Sequence, residues 1–75
     1  MTVEFRETKL INGWRIEEKY LTQWPNVPDA LIPQNEDIVK LHFGDYNETE
    51  EKYIVEHRVI SGTDLDKIIV IVRKP

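Results

Sequence analysis

The segment from Lys67 to Arg73 most constrains how this chain can fold, because it is apolar throughout its middle. Its central residues, Ile-Ile-Val-Ile-Val, would make both faces of a strand apolar. On an open sheet edge such a strand would be an aggregation hazard. Lys67 before it and Arg73-Lys74-Pro75 after it resemble the charges and proline that guard such strands. The segment is predicted to be either a central strand buried on both faces or a strand that pairs or packs with another chain.

The N-terminal part of the chain predicts a β-hairpin. Asn12-Gly13 is a strong hairpin signal, because both central positions of the favoured two-residue turn need positive φ. Such a turn pairs Ile11 with Trp14 and Phe5 with Tyr20. The apolar residues of the two strands then lie on the same face of the hairpin.

The same register has an unfavourable consequence for the charges. It sets Glu7 opposite Glu18 and Arg6 opposite Lys19. Like charges directly opposite each other destabilise a sheet. A β-bulge or fraying in the middle of the hairpin is therefore expected.

A helix near residues 14–24 is the alternative for the second half of the hairpin. Ile16, Tyr20 and Trp24 also fit the i, i+4 spacing of an apolar helical stripe, and Pro25 would end the helix. The fold would then be α+β.

Three apolar-rich segments follow and predict a three-stranded meander: 38–43, 52–60 and 67–73. Pairing Phe43 with Tyr53 and Ile60 with Lys67 gives one apolar core face, which includes His57. The opposite face then carries five isoleucines: Ile38, Ile54, Ile60, Ile69 and Ile71. Since monomers rarely expose large contiguous apolar patches, something should cover this face.

Residues 22–37, TQWPNVPDALIPQNED, separate the hairpin from the meander. Trp24, Val27, Leu31 and Ile32 are apolar enough to lie over the isoleucine face or to plug the end of a barrel. The three prolines stiffen the crossing. Because proline has no backbone N–H, these positions need no hydrogen-bond acceptor. The stretch is predicted either to cover the protein's own apolar surface or to grip a ligand.

Residues 33–73 resemble the SH3-like barrels of bacterial and phage proteins. The resemblance is carried by three segments: Pro33-Gln34-Asn35-Glu36-Asp37-Ile38-Val39, Tyr53-Ile54-Val55 and Ile68 to Val72. Glu36 departs from the pattern, in which a glycine usually precedes the aspartate. The resemblance implies a fold more than a function, since small barrels serve many roles. We therefore predict one all-β domain over residues 1–75, a small five-stranded SH3-like barrel or roll made of an N-terminal hairpin and a three-stranded meander.

Composition excludes or disfavours several functions. The absence of cysteine excludes disulfides, thiolate zinc sites and a cysteine nucleophile, and favours the cytoplasm. A net charge of −4 without a basic face disfavours nucleic acid as a partner. His42 and His57 are predicted on opposite faces, so they cannot share a metal. No nucleophile motif, phosphate loop or membrane-spanning run is present. We predict no enzyme activity, no cofactor and no membrane association.

The remaining sequence features favour binding to another protein, so we predict a non-enzymatic protein-binding module. The candidate partner-binding residues are Trp24, Leu31, Ile32, Ile54, Ile69 and Ile71. One alternative is a homo-oligomeric assembly protein that buries isoleucines of the apolar face. Another is a phage-borne acidic inhibitor of a host protein, which would occupy a basic nucleic-acid-binding surface.

Overall fold

A computed structural model describes residues 1–11, 13–60 and 66–75, without the side chains of residues 10, 11 and 14–18. The fold is all-β: the described residues form a curled five-stranded sheet and a 3₁₀ turn at Asp29–Leu31. The strands are β1 (Thr2–Ile11), β2 (Trp14–Trp24), β3 (Ile38–Phe43), β4 (Thr49–Ile60) and β5 (Lys67–Arg73). The alternative helix near residues 14–24 is wrong, because β2 covers that segment.

The strand order is β2-β1-β5-β4-β3. The predicted hairpin (β1–β2) and the predicted meander (β3–β4–β5) are both present and antiparallel. A parallel pairing of β1 with β5 joins them, a contact that the sequence did not predict. It makes β5 the central strand. This position explains the apolar run, since Val70, Ile71 and Val72 are all buried.

The hairpin pairs Ile11 with Trp14, as the Asn-Gly turn predicts. The expected irregularity is also present. Two register shifts interrupt the ladder, between Lys9 and Leu10 and between Phe5 and Arg6. As a result, the predicted pairing of Phe5 with Tyr20 is wrong, and Phe5 lies opposite Thr22.

The register shift between Lys9 and Leu10 removes both unfavourable charge pairs. Glu7 lies opposite Lys19 instead of Glu18. Arg6 lies opposite Tyr20 instead of Lys19. Opposite charges across a strand pair stabilise a sheet where like charges destabilise it. This bulge therefore has an electrostatic reason that is visible in the sequence.

The β3–β4 turn is tighter than predicted. Gly44 and Asn47 adopt left-handed φ values of 101° and 54°, which allow residues 44–48 to reverse the chain. Phe43 consequently lies opposite Thr49, and the predicted pairing of Phe43 with Tyr53 is wrong. The error is an even number of residues, so residues 38–43 of β3 and residues 49–55 of β4 keep their predicted faces.

A third irregularity, a bulge at Glu56, changes the β4–β5 register. Val55 lies opposite Val72, as the predicted register requires. Beyond Glu56 the pairing shifts by one residue, so Ile60 lies opposite Ile68 and not opposite Lys67. A shift of one residue reverses the faces of a strand.

This reversal corrects two predictions. His57 is exposed, so its predicted core position is wrong. Ile60 leaves the predicted isoleucine face, because directly opposed residues share a face and Ile68 packs against the core. The other four isoleucines differ in burial: Ile71 is buried, Ile54 and Ile69 are half-buried, and Ile38 is exposed.

The core lies on one face of the curled sheet. Its buried members are Val3, Phe5, Val27, Ile32, Val39, Leu41, Tyr53, Val55, Val70 and Val72. Val27 and Ile32 come from the stretch 22–37, so part of that stretch covers the core face and not the isoleucine face over which it was predicted to lie. The Val27 N–H donates to the Met1 carbonyl over 2.7 Å, which ties the stretch to the start of β1.

An ion-pair cluster reinforces the β1–β5 pairing on the opposite face. Glu4 is buried, and its carboxylate accepts from Lys67 at 2.7 Å and from Arg6. Burial raises the pKa of Glu4, but the hydrogen bonds from Lys67 and Arg6 outweigh this effect and hold the pKa below its ordinary value. The Lys67 bond joins the first strand to the last.

Candidate functional site

The curled sheet leaves an open cavity of about 550 Å³. We call it the Glu7 cavity. All five strands or their ends contribute to its wall, and its apolar part consists of Leu21, Phe43 and the ring of Tyr53. The volume is typical of sites that bind small molecules or single side chains.

Three carboxylates line the Glu7 cavity: Glu7, Glu51 and Glu56. Glu7 follows Val3 and Phe5 at alternate positions of β1, so it points to the core face. The bulge brings Glu56 to the same wall. Glu7 is only 7% exposed. The sequence analysis did not single it out, although its alternation with two core residues was visible.

Tyr53 interacts with two of these carboxylates, Glu7 and Glu51. Its hydroxyl donates to Glu51 over 3.2 Å. Burial, the negative charge of Glu7 and the bond to Glu51 raise the pKa of Tyr53 to about 12. Lys74 binds the same Glu51 carboxylate at 3.1 Å, and this hydrogen bond lowers the pKa of Glu51. The tyrosine therefore stays a neutral hydrogen-bond donor across the physiological range.

The raised pKa of Tyr53 predicts a loss of stability in alkali. The fold favours the neutral phenol, so its contribution is complete below about pH 10 and is lost as the pH rises toward about 12. We expect wild type to lose about 1.4 kcal/mol more stability than Tyr53→Phe between about pH 9 and about pH 11. Urea unfolding of both proteins at both pH values measures this difference. Equal losses would contradict the shift.

The stretch before β3 forms a second depression, of about 460 Å³. Its apolar lining consists of Trp24, Ala30, Leu31, Ile32, Pro33, Ile38 and Val39. We call the part made by Trp24, Leu31, Ile32 and Ile38 the Trp24 surface. Leu31 and Ile38 are each 69% exposed. Ile32 belongs to the core, and Trp24 contacts Phe5 edge-on with ring centroids 4.5 Å apart.

Backbone hydrogen bonds hold the loop beneath the Trp24 surface. The Glu36 N–H donates to the Val55 carbonyl, and the Val55 N–H donates to the Asp37 carbonyl, each over 2.8 Å. The Asp37 carboxylate accepts from the Gln34 N–H, also at 2.8 Å. Glu36 has a left-handed φ of 73°, so the tight turn forms without the glycine that the resemblance leads one to expect. The surface is thus presented by an anchored loop.

The structure brings only part of the predicted partner-binding set together. Trp24, Leu31 and Ile32 line one depression. Ile54 lies opposite Ile38 and so borders it. Ile69 and Ile71 lie on the central strand, outside this lining. Ile38 was missed as a binding residue, although its place beside Ile54 on the predicted apolar face was a usable signal.

Searches of family models, of curated proteins and of solved structures found no match to this chain. The resemblance to SH3-like barrels therefore stays a prediction. Among residues 1–11, 13–60 and 66–75, no helix is long and apolar enough to span a membrane. Within the same ranges, no group of three histidine or carboxylate side chains is arranged to hold a metal ion.

Proposed function

We propose that this chain is a non-enzymatic protein-binding module that docks another protein on the Trp24 surface. The observation that carries the proposal is the exposure of Leu31 and Ile38, two large aliphatic side chains, beside an aromatic ring on an anchored loop. Tryptophan is enriched at binding hot spots, and a rigid loop loses little entropy when a partner docks. The cysteine-free composition supports a cytoplasmic location.

Substitution of the exposed side chains tests this proposal. We expect Leu31→Glu and Ile38→Glu each to abolish capture of a protein partner from a cell lysate, because a charge would be placed in an apolar contact. Stability should change by less than about 0.5 kcal/mol, since both residues are mostly exposed. Tyr46→Glu is the matched control, because Tyr46 is 91% exposed and lies on the distant β3–β4 turn.

Three outcomes separate the alternatives. Capture that survives both substitutions would exclude the Trp24 surface as the interface. A wild-type dimer in light scattering that Ile38→Glu dissociates would favour homo-oligomeric assembly, which has support because Ile38 begins the edge strand β3. Capture that disappears at high salt but survives both substitutions would favour the acidic inhibitor, since exposed charge contacts are screened by salt.

A further inference from the structure

Glu7 is a buried acidic residue that forms no ion pair with the residues that the structure describes. It is 7% exposed, it lies opposite Val72 in the parallel β1–β5 pairing, and its side chain lines the Glu7 cavity. In the described part of the chain, no lysine, arginine or histidine nitrogen lies within the ion-pairing distance of 4.0 Å from the Glu7 carboxylate. Burying a charge without a partner is costly. No cation among the described residues therefore pairs with the Glu7 carboxylate, although basic residues line the same cavity.

None of the basic residues that line the cavity forms an ion pair with Glu7: Lys9, Lys19, Arg73 and Lys74. Lys74 binds Glu51 at 3.1 Å, and Arg73 binds Glu36 at 3.7 Å. Lys19 lies opposite Glu7 in the ladder, but its side chain is exposed and outside ion-pairing distance. The described residues around Glu7 therefore include no ion-pair partner for its carboxylate.

The rest of the cavity wall suits an aliphatic chain with a polar end. Leu21 and Phe43 supply apolar surface, and the Tyr53 ring continues it. The negative charge of Glu7 acts on Tyr53, which places the carboxylate and the phenol in one electrostatic neighbourhood.

We infer that the Glu7 cavity binds an alkylammonium group, with its nitrogen donating to the Glu7 carboxylate and its chain against Leu21 and Phe43. A charge-assisted hydrogen bond inside a partly dry cavity is stronger than a neutral one. The ligand is either a free amine or the lysine side chain of another protein. This site is separate from the Trp24 surface, so it does not depend on the proposed function.

Titration with small probes, followed by amide chemical shifts, tests the inference. We expect n-butylammonium chloride to bind wild type with a Kd of about millimolar size, perturbing residues around Glu7 and Tyr53. 1-Butanol, which has the same shape without the charge, should bind at least about tenfold more weakly. An acetyl-Gly-Lys-Gly-amide peptide tests the second source of the same group. Binding tighter than that of the free amine would assign the cavity to a protein lysine, and weaker binding would assign it to a free amine.

Matched variants decide whether Glu7 carries the binding. Glu7→Gln should weaken n-butylammonium binding at least about tenfold, while Glu50→Gln, which changes a carboxylate outside the cavity, should leave it unchanged. If Glu7→Gln fails to fold, Phe43→Ala removes part of the apolar wall and should weaken binding several-fold.

Three results would overturn the inference. They are equal binding by wild type and Glu7→Gln, equal binding of the amine and the alcohol, and binding that appears only in Lys19→Gln. The last result would mean that Lys19 itself occupies the site.

Discussion

Phe5→Ala is expected to lower the free energy of unfolding by about 3–5 kcal/mol. Phe5 is fully buried on β1, which lies between β2 and β5, and its ring packs edge-on against Trp24. The substitution removes this contact and leaves a cavity at the junction of the hairpin and the meander. A 75-residue domain has only roughly 4–11 kcal/mol of stability, so the variant should be largely unfolded under mild conditions.

Urea unfolding followed by tryptophan fluorescence measures this effect. Tyr46→Ala is the control, because it removes an aromatic ring that is almost wholly exposed, and it should change stability by less than about 0.5 kcal/mol. A loss below about 1 kcal/mol in Phe5→Ala would mean that the two halves of the sheet do not share the described core.

Ile69→Pro is the second substitution with a large expected effect. Ile69 lies on the central strand, opposite Glu4 on β1 and Val59 on β4. Proline cannot donate to the ladder, and proline is confined in sheets to edges and bulges. We expect the loss of a buried backbone hydrogen bond and the steric conflict to cost more than about 3 kcal/mol and to abolish cooperative folding.

The control for Ile69→Pro is Ile69→Ala, which keeps the backbone donor. Ile69 is half-buried, so the alanine variant should remain folded and lose only about 1–2 kcal/mol. Thermal unfolding followed by circular dichroism compares the two variants. If the proline variant were as stable as the alanine variant, β5 could not be the central strand.

The two candidate sites use different chemistry. The Trp24 surface is a shallow apolar depression on the loop before β3. The Glu7 cavity is a charged recess among the strands, with one carboxylate that no described side chain neutralises. A variant at either site should leave binding at the other unchanged, so the two proposals stand or fall separately.

Local signals predicted the strands well. The Asn12-Gly13 turn, the alternation of β3 and the apolar run of β5 each reflect the chemistry of neighbouring residues. The hairpin bulge was also predicted from nearby residues, since the register set by the turn placed like charges directly opposite each other. The turn before β4 was predicted too long, because Thr49 to Glu51 are polar. They belong to β4 because the tight turn at residues 44–48 brings them opposite residues 41–43 of β3.

The sequence alone determined the all-β class, the hairpin and the meander, because turns and alternation depend on residues close along the chain. Only the tertiary structure decided the parallel pairing of β1 with β5, since this contact joins segments more than sixty residues apart and has no local signature. It also decided the bulge at Glu56, which exposes His57 and turns Glu56 toward the cavity. Glu7 became a candidate site for the same reason, because the burial of a carboxylate and the absence of a described counter-ion depend on all five strands.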